Sequence, residues 1–163
     1  TLLKSNSNSD SAISNVINVD FAYAYIPFKI NKLVDSIIIS IDDLDSENSY
    51  EYHNTGSIVG LTSSPIGCVK ITEFAEEFND GDTIAFLLDN INNRLIFLLN
   101  NISQGVAFSN IDFKLGKYCF QIGAIGAGTE IELLQDEIHV QPNRFQDDEI
   151  KAISVLRSIE EKG

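Results

Sequence analysis

The sequence predicts an all-β fold, an antiparallel β-sandwich, and three observations carry that prediction. Apolar residues recur with period two in short runs, as at 36–42, where Ile37, Ile39 and Ile41 lie opposite Ser36, Ser40 and Asp42. Between residues 78 and 134, Asn, Asp and Gly separate such runs at hairpin spacing. Isoleucine and phenylalanine are abundant while Met and Trp are absent, a β-branched and aromatic composition that suits pleated strands. With 163 residues and 44% apolar content, the chain suits one domain with a real core.

The elements follow in chain order. Residues 1–15 form a Ser/Asn-rich leader, expected to be mobile or weakly ordered. Residues 16–141 carry the sandwich. Phe21, Tyr23, Tyr25 and Ile26 open it, and Pro27 restricts this piece to an edge or irregular strand, because proline donates no ladder hydrogen bond. After the strand at 36–42, residues 43–55 read as a polar, acidic connection that contains Tyr50 and Tyr52. Residues 57–61 (SIVGL) read as a short buried strand, broken by Ser63, Ser64 and Pro65, and 67–72 as another.

The hairpin region is clearer. Residues 79–82 (NDGD) make a turn, 83–89 a strand, 90–93 a tight connection and 94–99 the returning strand. Asn100 and Asn101 turn the chain into a strand through Val106 and Phe108. Residues 118–125 and 129–134 supply two more strands, read as a hairpin around Gly126, Ala127 and Gly128. Residues 142–163 change character. Ile150, Ile153, Leu156 and Ile159 recur at three-residue steps, acids (Asp147, Asp148, Glu149) begin the stretch, and Arg157 and Lys162 lie near its end. This predicts a short amphipathic C-terminal helix, which would dock on its own domain or on a partner.

Charge narrows the partners. The formal net charge is −13, and between Lys32 and Arg94 the only basic residue is Lys70. Such a surface repels phosphate backbones and anionic lipid and would steer a basic protein or peptide towards it, although acidity also serves solubility. No apolar run is long enough to span a bilayer, and no signal peptide is visible. Cys68 and Cys119, without CxxC spacing, fit two small buried thiols in a reduced intracellular protein, cytoplasmic or nuclear; a disulfide across the sandwich is the alternative.

Catalytic constellations are not apparent. His53 and His139 are the only histidines and lie far apart, each reading as a surface or hydrogen-bonded structural residue. No nucleophile elbow, HExxH or CxxC pair occurs, so no catalytic residue, metal ligand set or cofactor is assigned. Acidic residues from Asp42 to Glu47 invite a calcium reading. An EF-hand-like loop starting at Asp43 would need Gly at 48 and Glu at 54, where Asn48 and Asn54 stand, so a loose calcium site in the acidic loop is the alternative that is left.

One phrase is specific. It runs Gly81-Asp82-Thr83-Ile84, then Phe86-Leu87-Leu88-Asp89, then Leu95-Ile96-Phe97 with Asn100-Asn101, then Gly105-Val106-Ala107-Phe108, and ends in a strand led by Tyr118. In order and spacing, over about 55 residues, this resembles the SPRY family, although the Trp that usually marks an upstream strand is missing. The resemblance implies a concanavalin-like jelly roll and a non-catalytic protein-interaction module, normally a monomeric domain of a larger chain. It also implies a shallow, preformed site on loops at one end of the sandwich. The expected partner-binding residues are Ile125, Gly126, Ala127 and Gly128, with Thr62, Ser63, Ser64 and Pro65 close by and Tyr50 and Tyr52 as aromatic anchors. Lectin-like sandwiches share the architecture, so a carbohydrate-binding module is the alternative.

Overall fold

The computed structural model describes residues 2–4, 9–13, 21–63, 66–113 and 117–141. The strands are β1 (Leu2–Lys4), β2 (Ser9–Ile13), β3 (Tyr23–Lys32), β4 (Ser36–Asp43), β5 (Ser49–His53), β6 (Ile58–Ser63) and β7 (Ile66–Ile71). They continue as β8 (Thr83–Asp89), β9 (Arg94–Leu99), β10 (Ile102–Ser109), β11 (Tyr118–Ile125), β12 (Glu130–Leu133) and β13 (His139–Gln141), with a 3₁₀ turn at Gln135–Glu137.

Among the described residues these strands build two antiparallel sheets. One has the order β1-β12-β3-β8-β9-β10, with β13 also paired to β3; the other has the order β2-β11-β4-β5-β6-β7. Period-two alternation aims one face of each sheet at the other. Ile26, Phe28, Ile30, Ile84, Phe86, Phe97 and Leu99 from the first sheet meet Ile37, Ile39, Ile41, Tyr52, Ile58 and Ile122 from the second, all buried. Edge-on aromatic pairs such as Phe28–Phe86 (5.7 Å, 87°) and Phe28–Phe120 (5.3 Å, 76°) fill the interior. The all-β antiparallel sandwich is therefore the observed architecture.

Several local expectations change. Two stretches of the leader are strands: β1 pairs with β12 and β2 with β11, each as the terminal strand of its sheet. Edge pairing is made by main-chain groups, so a Ser/Asn-rich sequence is no obstacle to it. The acidic connection contains a full strand, β5, which pairs with both β4 and β6 and leaves only residues 44–48 as the loop. Its signal was the alternation of Tyr50 and Tyr52 with Ser49, Glu51 and His53, masked by polar neighbours.

Pro27 lies in an interior strand and not at an edge, paired with Ala85 of β8. Its carbonyl accepts from Leu134 N–H (3.1 Å), so its nitrogen faces the gap where β12 gives way to β13 and no ladder bond is lost. Residues 118–125 and 129–134 are not a hairpin, since β11 and β12 belong to different sheets. The C-terminal helix expectation falls outside the described residues, as do Ser64 and Pro65.

Candidate functional site

The strand register assigns every connection to one end of the sandwich. Ile125 at the end of β11 pairs with Ser36 at the start of β4, whereas Asp42 pairs with Ser49 and Ser49 with Leu61. The Gly126–Gly128 corner therefore lies at one end of the six-stranded sheet, and Thr62 and Ser63 at the other. The expected neighbourhood of these two loops does not exist.

The glycine corner is built as scaffold. Gly126 has φ of +101°, and a Cβ there would come within 2.9 Å of Val34 Cβ and Cγ1. Thr129, fully buried, donates its hydroxyl to Gly126 O (2.9 Å) and accepts from Val34 N–H (3.3 Å). Ile125 and Ala127 are exposed, while Gly126 and Gly128 are half-buried against Val34. The corner carries the chain from one sheet to the other, which explains its need for left-handed backbone.

The two tyrosines part company. Tyr52 is a core residue and offers no surface: its ring packs on Phe78 (5.1 Å) and Phe97 (5.0 Å), and its hydroxyl donates to Glu76 O (2.7 Å). Burial, with Glu76 and Asp82 adding negative charge, pushes its phenol pKa well up. Tyr50 is half-buried against Phe108 (5.1 Å), its pKa also raised, mainly by burial. It stands at the acidic end, beside the loop at 44–48.

That loop is held by its own first residue. Asp43 is buried and accepts from Asp45 N–H (3.0 Å), Ser46 Oγ (2.7 Å) and Lys117 N–H (3.3 Å). A carboxylate that takes two donors from its own loop and one from Lys117 orders the turn and ties it to the chain before β11. Leu44, Asp45 and Glu47 remain exposed around it. His53 Nε2 meets Glu51 Oε1 at 2.8 Å, two residues away on the same strand face.

The residues of the sequence phrase are also structural. Asp89 is fully buried and accepts from Ile91 N–H, Asn92 N–H, Asn92 Nδ2 (3.0 Å each) and Arg94 Nε (2.7 Å), closing the β8–β9 turn. Asp82 accepts from Asn79 N–H (2.8 Å) and Asn100 Nδ2 (3.0 Å), while Asn100 Oδ1 accepts from Thr83 N–H (2.9 Å). Gly105 occupies a register shift of β10 with φ of +97°.

The feature missed in the sequence is the exposure of β7, a strand that the sequence predicts at 67–72. All six of its residues are exposed, it is the terminal strand of its sheet, and it carries Ile66 (92% exposed), Val69 (60%) and Ile71, with Leu61 beside it on β6. Gly60 on β6 sits under Phe108 of β10, so close that a Cβ would approach the ring to 2.8 Å. The seven-stranded sheet ends at β10, so β7 projects past the cover that Phe108 gives β6. Alternation puts Ile66 and Leu61 on one face of this edge and Val69 and Ile71 on the other, so β7 is an open edge strand with exposed apolar side chains on both faces. Cys68, expected to be buried, lies on this strand with an exposed free thiol; Cys119 is buried and also free, its pKa raised by burial and by Asp42.

These features define the class: a two-sheet antiparallel sandwich whose polar motif residues hold turns and whose terminal strand β7 is exposed. The particular fold is SPRY-like. A crystal structure of a human SPRY domain matches with a TM-score of 0.59 and 17% identity, covering 78% of this chain and 86% of that one. The SPRY domain of human HERC1 matches with a TM-score of 0.56 and 13% identity, covering 86% and 87%. No protein-family model matches the sequence, and no curated protein sequence is similar to it. Among the described residues no helix is long and apolar enough to cross a membrane.

Proposed function

We propose that this chain is a non-catalytic protein-recognition module that binds an extended, basic and apolar segment of another protein along the free edge of β7. The exposure of β7 over its full length carries this reading. An open edge offers main-chain donors and acceptors to an added strand, and the side chains of Ile66, Val69 and Ile71 supply apolar contact. Acidic residues flank it: Asp45 and Glu47 at one end, Glu73, Glu76 and Glu77 at the other, with Lys70 the sole base between Lys32 and Arg94. That field favours a cationic ligand and disfavours nucleic acid and anionic lipid. Tyr50 and Thr62, at the acidic end, belong to the same surface; the glycine corner does not. The exposed Cys68 thiol suits a reducing compartment, cytoplasm or nucleus.

A fluorescent probe peptide of alternating Lys and Val tests this directly, with a Glu/Val peptide as control. Saturable anisotropy with the first and none with the second is expected, weakening as salt rises. Loss of binding in Val69→Glu, with circular dichroism unchanged, would support the β7 edge; undiminished binding would move the site elsewhere. Binding on a glycan array and none to either peptide would favour the carbohydrate-binding alternative.

A further inference from the structure

The seven-stranded sheet is apolar on both of its faces. Tyr23 and Tyr25 of β3, Ala85 and Leu87 of β8, and Ile96 and Leu98 of β9 alternate with the interior residues and so point away from the other sheet. Register joins them: Tyr25 opposes Leu87, Leu87 opposes Ile96, Ala85 opposes Leu98, and Val106 of β10 extends the patch beside Ile96. The corresponding face of the six-stranded sheet is mixed, with Ser40, Asp42, Glu51, His53 and Gln121 beside Ile38, Val59 and Cys119. Leu87, Ile96 and Leu98 are each 0% exposed, a degree of burial that an open sheet face does not reach, since solvent would touch the outer methyl groups. Among the described residues Val106 packs against this cluster, and the Tyr25 hydroxyl donates to the Asn101 side chain at its margin.

We propose that residues 147–162 of the same chain dock on this face as an amphipathic helix through Ile150, Ile153, Leu156 and Ile159. Three observations choose this occupant. The described chain ends at β13, where Gln141 pairs with Tyr23 at the rim of the cluster. From there residues 142–146 reach about 17 Å when extended, enough to turn onto the face. A helix of residues 147–162 would be about 24 Å long, against about 14 Å across four neighbouring strands, so it spans the patch. The apolar stripe on an otherwise charged segment matches a platform that lacks charge at its centre. This surface is distinct from the β7 edge, so either assignment can fail without the other.

Hydrogen exchange of the intact chain, read by mass spectrometry, is the test. Amides of 147–162 should exchange at least ~10-fold more slowly than in a free peptide of that sequence. In Ile153→Asp, Leu156→Asp that protection should be lost, and binding of an apolar dye should rise several-fold as the face opens. The conservative Ile153→Leu, Leu156→Ile pair should keep both properties of the parent. Coil-like exchange of 147–162 in the unaltered chain would overturn the proposal whatever the variants do. So would a concentration-dependent dimer in sedimentation whose dissociation, and not the Asp substitutions, exposes the dye-binding face.

Discussion

Strands β9 and β7 are both six residues long and both largely apolar, RLIFLL and IGCVKI, yet one is buried along almost its whole length and the other nowhere. Their sequences alone do not decide this. β9 lies between β8 and β10, with Phe97 in the sandwich interior and Ile96 and Leu98 in the outer cluster. β7 terminates its sheet beyond the point where the opposing sheet stops. Burial here is a property of place in the sheet order. An apolar strand without cover is where the proposed ligand would add.

Substitutions that sharpen this contrast rank by depth. Phe97→Ala on β9 should cost about 3–5 kcal/mol in denaturant unfolding, because the ring fills space between Tyr52, Phe86 and Phe108. A loss under about 1 kcal/mol would mean that β9 is no better packed than β7. Gly126→Arg should cost about 1–3 kcal/mol from its left-handed backbone, with more from Val34, and lower the melting temperature. Any binding loss in that variant reports on folding, so it cannot map a recognition surface.

Alkaline titration probes the buried side again. Tyr25 is pushed up to about 12 from an ordinary 10.0, first by burial and then by Glu137, and its hydroxyl donates to the Asn101 side chain. A raised folded-state value means its contribution is intact below pH 10 and is lost as pH climbs from 10 through 12. Tyr25→Phe should flatten stability in that window, measured by urea midpoints from pH 10 to pH 12; an unchanged slope would show that Tyr25 ionises freely when folded. The smallest effect on stability belongs to β7. Val69→Glu should shift unfolding by no more than about 0.5 kcal/mol while abolishing capture of the Lys/Val peptide, and a large destabilisation would show that Val69 is packed after all.

What could be read in the sequence was local and periodic. The β8, β9 and β11 boundaries follow from alternation bounded by Asn, Asp and Gly, and β4 differs from its reading by one residue. The polar residues of the phrase, Asp82, Asp89 and Asn100, bond within their own turn or to the turn beside it, which is why spacing revealed them. The misreadings concern partners far away in sequence. Strand alternation does not say that Tyr52 faces Phe97, nor that β11 and β12 separate into different sheets. The candidate site suffered most, because the end of the sandwich to which a loop belongs depends on the direction of every strand before it. The exposed stripe of β7 was visible as apolar letters but not as surface.

The pairing of β1 and β2 sets an order of assembly. Leu2 lies opposite Glu132 and Ile13 opposite Gln121, so β1 and β2 pair with strands that come more than about a hundred residues later in the chain. Until residues 118–133 are made, β1 and β2 lack these sheet partners. Such long-range closure slows folding as sequence separation grows, and it makes completion of the two sheets a late and joint event.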